Sequence, residues 1–123
     1  MNRIVNPDTL PPPRGFSHAV VAGNTIYLAG QIGEGETFAE QFDGAAENLV
    51  RAIVGAGGTP DDLVWLQVFV TDVTEYRNSG GELGAVWRKH FGRRYPAMGL
   101  FGVTGLAAPE AKVELMGIAV IGE

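Results

Sequence analysis

The chain has no cysteine among its 123 residues, which excludes a disulfide scaffold, a thiolate zinc site and a cysteine nucleophile. Histidine is almost as scarce: only His18 and His90 occur, and neither has a second histidine at ligand spacing. A histidine-rich metal centre is therefore not expected. No apolar run of about 18 residues occurs, and the residues after Met1 lack the apolar stretch of a signal peptide. We therefore expect a cytoplasmic protein with no membrane partner.

Positive charge is also scarce. The chain has two lysines and a formal net charge of −5, whereas proteins that bind nucleic acid cluster lysine and arginine against the phosphates. A nucleic-acid partner is therefore disfavoured. The length and the 46% share of apolar residues are typical of one domain with a packed core, so we expect residues 1–123 to form a single domain.

The spacing of apolar residues predicts the element order ββαβαββ, an α+β domain in which two helices pack on one sheet. In the first helix, Thr37 followed by Glu40 indicates a capping box, and Gly57 marks the end. The second helix is predicted to begin after Ser79 as its N-cap, with Glu82 closing a second box. The predicted strands are Phe16–Ala22, Thr25–Gln31, Leu63–Val73, Gly99–Thr104 and Ala111–Ile121.

Two of these strands are apolar on both faces. Leu63–Val73 places Leu63, Trp65 and Phe69 on one face and four aliphatic residues on the other, and Ala111–Ile121 is similar. Two helices can cover only one face of a sheet, so the other face needs a second cover. Another copy of the chain is the simplest one, and we therefore predict a homo-oligomer.

Glu114 is the main candidate for chemistry, because a carboxylate inside an apolar strand is costly unless it is paired or used. One interpretation is a structural ion pair with Lys112 at a sheet edge. The other is a carboxylate in a cleft between subunits that activates water, its pKa raised by burial. His18 is either a hydrogen-bonded strand histidine or a catalytic one. Gly30, at the end of a strand, allows a ligand to approach the backbone closely.

Several motifs, in the same order, resemble those of the reactive-intermediate deaminase (Rid) family, also called YjgF-like. The matching stretches are residues 15–20, 23–33, 56–58, 68–72, 95–97, 113–114 and 118–120, with Gln41 and Asn48 between them. The resemblance covers nearly the whole chain. It implies a chorismate-mutase-like fold, a homotrimer with sites between subunits, and hydrolysis of enamines and imines to keto acids with release of ammonia. It implies no metal and no organic cofactor.

The chain departs from the family pattern at three positions, one of which is the asparagine expected near the start of the second helix, matched here only by the glycines of residues 79–81. An arginine directly after Pro-Ala binds the substrate carboxylate in that family, but here the residue is Met98, which cannot make charge-assisted hydrogen bonds. The pocket tyrosine is matched by Phe16, which lacks the hydroxyl, whereas Glu114 and Gly30 are retained. We therefore predict Glu114 as the catalytic residue. The predicted substrate-binding residues are Phe16, Ala29, Gly30, Trp87, Ala97, Met98 and Leu100.

Two functions follow. The first is an enzyme that hydrolyses or deaminates an imine, enamine or related carbonyl-type small molecule, with poor activity on 2-imino acids. The second is a non-catalytic trimer that binds a small molecule as a ligand or regulatory signal. The sequence leaves open whether Arg14, Arg93 or Arg94 reaches the cleft in place of the missing arginine. The net charge disfavours the ribonuclease activity ascribed to some relatives.

Overall fold

The computed structural model describes residues 1–122, which form one six-stranded sheet and three α-helices. The strands are β1 (Arg3–Val5), β2 (Ala19–Ala22), β3 (Thr25–Gln31), β4 (Leu63–Val70), β5 (Ala97–Gly102) and β6 (Val113–Val120). The helices are α1 (Phe38–Gly55), α2 (Val73–Asn78) and α3 (Gly80–Phe91). A short 3-10 turn, Pro60–Asp62, precedes β4.

The sheet has the strand order β1-β2-β3-β6-β4-β5. Only β4 and β5 run parallel, and the other neighbours are antiparallel. The helices pack on one face, where burial of apolar side chains stabilises the fold. The largest fully buried side chains there include Ile26, Leu49, Ile53, Leu66 and Leu115.

The predicted start of α1 is confirmed. The Thr37 hydroxyl accepts a hydrogen bond from the Glu40 backbone N–H at 3.1 Å, and the Glu40 carboxylate accepts one from the Thr37 N–H at 3.0 Å. The two residues therefore satisfy each other's free donors at the helix terminus.

The predicted order ββαβαββ is incomplete, because the structure adds β1 and α2. The strand predicted as Leu63–Val73 ends at Val70, since Asp72 accepts a hydrogen bond from the Glu75 N–H at 3.1 Å and begins α2. The capping box predicted at Ser79 is wrong. The Ser79 hydroxyl donates to the Glu75 carbonyl oxygen at 2.7 Å and caps no N–H of α3.

Two register shifts decide which side chains face the helices. In β3, Leu28 pairs with Gly117 and Gln31 with Leu115, so one extra residue bulges at Ala29–Gly30. In β4 a shift between Leu63 and Trp65 turns Leu63 to the buried face. The prediction that Leu63 shares a face with Trp65 is therefore wrong.

Within residues 1–122 no helix lies over the other face of the sheet, and we call it the open face. Along each strand, residues that point to the open face alternate with residues that are buried under the helices. The sequence predicted that strands β4 and β6 would be apolar on both faces. Large side chains on it include Ile4, Tyr27, Trp65, Phe69, Phe101 and Ile118. The rings of Phe69 and Phe101 stack with their centroids 5.5 Å apart. The open face is therefore a wide, apolar and partly aromatic surface.

Candidate functional site

Glu114 lies on the open face of β6, between Val113 and Leu115, whose side chains are fully buried on the other face. Its carboxyl group lies directly over Gly30 in the bulge of β3. A β-carbon at position 30 would lie 2.6 Å from the Glu114 Cδ, so only glycine leaves room for this arrangement. The structure thus brings together two of the residues that the sequence singled out.

The surroundings of Glu114 favour its protonated form. Burial raises the pKa of the Glu114 carboxyl, because a charged group loses hydration there. Within residues 1–122 no cation pairs with it; the Lys112 ammonium instead lies 3.5 Å from the Glu75 carboxylate. The ion-pair interpretation of Glu114 and Lys112 is therefore wrong. A half-buried, unpaired carboxyl group of this kind can exchange a proton with a bound molecule.

Phe16 and Gly30 line a broad trough of about 1200 Å³ between the N-terminal segment, the loop after β3 and α1. His18 lies in its wall and is buried. Its Nε2 donates to the Pro11 carbonyl oxygen at 2.8 Å, and its Nδ1 accepts from the Gln31 amide at 3.0 Å. Both ring nitrogens are therefore occupied, so His18 is a hydrogen-bonded strand histidine and not a proton-transfer group.

Met98 and Trp87 line a second, smaller cavity of about 280 Å³ between the sheet and helices α2 and α3. The rings of Trp87 and Tyr95 stack there with centroids 5.5 Å apart and an interplanar angle of 7°. The Trp87 indole N–H donates to the Arg94 carbonyl oxygen at 3.1 Å, which fixes the ring. We call this space the Met98 cavity.

The strand register places Met98 and Glu114 on opposite faces of the sheet. Met98 pairs with Leu66, which is fully buried under the helices, whereas Glu114 pairs with Phe69 on the open face. A single chain therefore does not bring Met98 next to Glu114.

The remaining predicted substrate-binding residues divide between the two faces in the same way. Ala97 pairs with Trp65 on the open face, and Leu100 pairs with Val68 on the face of Met98. Ala29 precedes Gly30 in the bulge of β3. The predicted site residues thus form two separate half-sites in one chain.

Of the residues that line the Met98 cavity, Trp87 and Met98 were predicted from the sequence, and the others, which include Arg77 and Tyr95, were not. Arg77 belongs to α2, which was not predicted, although Asp72 followed by Glu75 three residues later is a helix-start signal. Among the described residues, none of Arg14, Arg93 and Arg94 lines the Met98 cavity.

Over residues 1–122, no three His, Asp or Glu side chains come together in a group that could hold a metal ion. In the same part of the chain, no helix is both long and apolar enough to cross a membrane.

Comparison with known proteins identifies the family. The family model described as Endoribonuclease L-PSP matches residues 7–121. A Dermatophagoides farinae protein named 2-iminobutanoate/2-iminopropanoate deaminase is 30% identical over 128 residues, which cover 97% of this chain and 96% of that protein. A Thermotoga maritima crystal structure superposes with a TM-score of 0.88 at 28% identity and covers 100% of both chains. The crystal structure of RidA from an Antarctic Psychrobacter superposes with a TM-score of 0.85 at 28% identity, covering 97% of this chain and 99% of that one. The chain therefore belongs to the Endoribonuclease L-PSP family, which is the YjgF/RidA family that its motifs resemble.

Proposed function

We propose that this protein is an enzyme that hydrolyses an imine or enamine to a carbonyl compound and ammonia. The observation that carries the proposal is the Glu114 carboxyl group, which is half-buried, without an ion-pair partner in residues 1–122, and held against Gly30. The relative named 2-iminobutanoate/2-iminopropanoate deaminase supports this reaction class.

The chemistry requires one group that both accepts and returns a proton. The Glu114 carboxylate accepts a proton from water as the water oxygen attacks the imine carbon, and the imine nitrogen takes up a proton from solvent to give a carbinolamine. The protonated Glu114 then donates its proton to the amino group, the C–N bond breaks, and ammonia leaves as the carbinolamine hydroxyl releases its proton to solvent and the carbonyl forms. An enamine substrate first becomes the imine by taking a proton from solvent on its β-carbon and losing one from its nitrogen to solvent. Glu114 ends in its starting state.

The site is proposed to lie between two copies of the chain in a homotrimer of the chorismate-mutase-like type. Two observations support this assembly. The open face is an extended apolar surface that no described element of the chain covers, and such surfaces mark interfaces. Met98 and Glu114 lie on opposite faces, so a cleft that contains both half-sites needs one face from each of two chains. A cytoplasmic location is part of the same proposal.

Small 2-imino acids are proposed to be poor substrates. Their carboxylate sits on the reacting carbon, and Met98 offers it no charge-assisted hydrogen bond where the family pattern has arginine. The wall around Met98 is apolar and aromatic, which favours an imine with an apolar body and no carboxylate at that carbon.

A trapping assay tests the proposal. A flavin amine oxidase acting on benzylamine releases a neutral imine, and semicarbazide converts the imine to a semicarbazone that is followed by absorbance. The protein should slow semicarbazone formation, because it converts the imine to the aldehyde, which reacts with semicarbazide more slowly, and Glu114→Gln should abolish this effect. Asp61→Asn, which removes an exposed carboxylate outside both half-sites, serves as the control. If Glu114→Gln is as active as the unchanged protein, the proposed role of Glu114 is wrong.

The pH dependence of the same assay gives a second test. Because burial raises the pKa of Glu114, the carboxylate that accepts the proton should be lost at a higher pH than for an ordinary glutamate. Activity should therefore fall on acidification before free glutamate would titrate, near its ordinary pKa of about 4.3. Activity that stays constant down to that pH would contradict a proton-accepting Glu114.

A non-catalytic trimer that binds a small molecule is the second candidate function. Met98 in place of arginine and Phe16 without a hydroxyl favour it, because both changes remove polar contacts to a substrate. This function predicts that the protein binds a ligand by calorimetry but never alters the rate of semicarbazone formation.

A further inference from the structure

We propose that Arg77 binds the carboxylate of the ligand that occupies the Met98 cavity, and that this ligand is an apolar monocarboxylate, preferentially one with a ring. In the proposed function, the Met98 cavity is the ligand-binding half of the cleft between two chains. The part that this ligand plays in the reaction therefore rests on the proposed function. The binding itself concerns side chains of one chain only.

Arg77 stands out among the residues that line the cavity. It is the only charged one of these described residues, and the other side chains are apolar or aromatic, including Phe42, Val68, Leu83 and Met98. Within residues 1–122, its guanidinium group makes no ion pair, no side-chain hydrogen bond and no contact with an aromatic ring. Arg77 is thus an exposed cation at the edge of an apolar cavity, and no described group forms an ion pair with it.

The chemistry of guanidinium decides which ligand suits this arrangement. Its planar set of N–H donors matches the two oxygens of a carboxylate, and such charge-assisted pairs are stronger than neutral hydrogen bonds. A small pocket that buries most of the ligand and has one polar anchor selects an apolar molecule with one polar end.

The ring preference follows from Tyr95. Its ring stacks on Trp87 on one side, and the residue is 65% exposed. A ligand ring can therefore pack against this aromatic wall, where offset or edge-on ring contacts are favourable. The volume of about 280 Å³ is slightly below the range of about 300–1,000 Å³ for drug-sized ligands, so we expect a small acid.

The cation comes from α2, whereas the family pattern places it on the strand that carries Met98. A carboxylate bound at Arg77 is therefore held from α2 and not from β5, the strand that carries Met98. This difference favours acids in which the carboxylate is not attached to the reacting carbon, in agreement with the poor fit proposed for 2-imino acids.

Isothermal titration calorimetry with phenylacetate and its neutral isostere phenylacetamide tests the inference. The unchanged protein should bind phenylacetate more tightly than the amide. Arg77→Gln should weaken phenylacetate binding about tenfold, the effect of losing one charge-assisted hydrogen bond, and should leave amide binding unchanged. Arg77→Lys should recover part of the loss, because it restores the charge but not the planar donor pair.

Arg14→Gln is the charge-matched control, since Arg14 is exposed and does not line the Met98 cavity. It should bind phenylacetate like the unchanged protein. The inference is overturned if the unchanged protein binds neither phenylacetate nor 4-methylpentanoate, if acid and amide bind equally, or if Arg14→Gln weakens binding as much as Arg77→Gln. Thermal unfolding of each variant identifies any that fails to fold, and the Arg77→Lys protein then decides the outcome.

These measurements separate the inference from the proposed function, because equilibrium binding needs no turnover. A Glu114→Gln protein that still prefers phenylacetate supports the inference even if imine hydrolysis is never observed. Conversely, hydrolysis that depends on Glu114, together with equal binding of acid and amide, leaves the proposed function intact and removes the role of Arg77.

Discussion

The carboxyl group of Glu114 occupies the space where a side chain at position 30 would begin, because Gly30 contributes no β-carbon to the bulge of β3. The backbone of Gly30 is not in the left-handed region, so alanine is conformationally allowed there. The β-carbon of an alanine at position 30 would clash with the Glu114 carboxyl group, which can move because it is the end of a flexible side chain. At this residue, effects on the site and on stability can therefore be separated.

Gly30→Ala should displace the Glu114 carboxyl group and reduce imine hydrolysis at least about tenfold, as expected when a catalytic group loses its position. Stability should change little, within about 0.5 kcal/mol, as measured by urea unfolding. Gly105→Ala is the matched control, because nothing lies within 4 Å of the added methyl group. Full activity of Gly30→Ala would mean that the observed position of Glu114 is not the active one.

Met98→Arg should raise activity on small 2-imino acids about tenfold, because the new guanidinium supplies the charge-assisted hydrogen bonds that methionine lacks. The imine of leucine, generated by an amino-acid oxidase and trapped with semicarbazide, provides the assay. Met98→Gln, which is polar but uncharged, should not produce the gain. Strong activity of the unchanged protein on this imine would show that a cation at position 98 is not needed.

Helices α1 and α3 are joined by an ionic contact at their surface. Asp43 of α1 accepts hydrogen bonds from His90 and from Lys89 of α3, the latter at 3.1 Å. The hydrogen bond from His90, and secondarily the Lys89 ammonium, lower the pKa of the Asp43 carboxyl. Because the pKa is lowered on folding, this contact stabilises the fold above the ordinary pKa of aspartate, and the stabilisation is lost as the pH falls through the lowered one.

Asp43→Asn should therefore reduce the free energy of unfolding at pH 7 by no more than about 1 kcal/mol, because the pair is partly exposed to solvent. The difference from the unchanged protein should shrink below the ordinary aspartate pKa of about 3.9. Urea unfolding at a series of pH values measures both effects. A deficit that persists unchanged in acid would assign it to packing instead of charge. Asp61→Asn, outside this contact, should show no such pH dependence.

Elements with strong local signals could be predicted from the sequence. The Thr37–Glu40 box and regular apolar spacing predicted α1 correctly. The end of β4 could not be located in the same way, because Thr71 and Val73 have strand-forming side chains, and the hydrogen bond of Asp72 to Glu75 decides the matter. The bulge that turns Leu63 inward arises from pairing with β6, which no local pattern encodes.

The candidate site could be predicted in part, because some of its residues belong to recognisable motifs. Glu114 and Gly30 belong to motifs that the family resemblance carries, and the structure places them together. The separation of Met98 from Glu114 depends on the parallel pairing of β5 beside β4, which sequence periodicity does not give. Arg77 was missed because its position depends on α2 and on the tertiary packing that forms the cavity.

At the scale of the whole molecule, the open face should hold the assembly together. The protein should have three times the 13.0 kDa chain mass by light scattering. Phe101→Glu places a charge beside the stacked Phe69 on the open face and should dissociate the assembly, because burying an unpaired charge is costly. Val54→Glu, on an exposed position of α1, should not. A monomeric unchanged protein at micromolar concentration would remove the basis of the proposed cleft.

The opposite placement of Met98 and Glu114 has a consequence for mixtures of variant chains. In a closed ring, each cleft takes the Glu114 face from one chain and the Met98 cavity from its neighbour, so two differently damaged chains can repair each other. Glu114→Gln and a cavity variant such as Gly84→Trp should each be inactive alone. After co-refolding in equal amounts, random mixing should leave about a quarter of the clefts with two intact halves. Activity should therefore reappear from two inactive proteins, and only when they share an assembly.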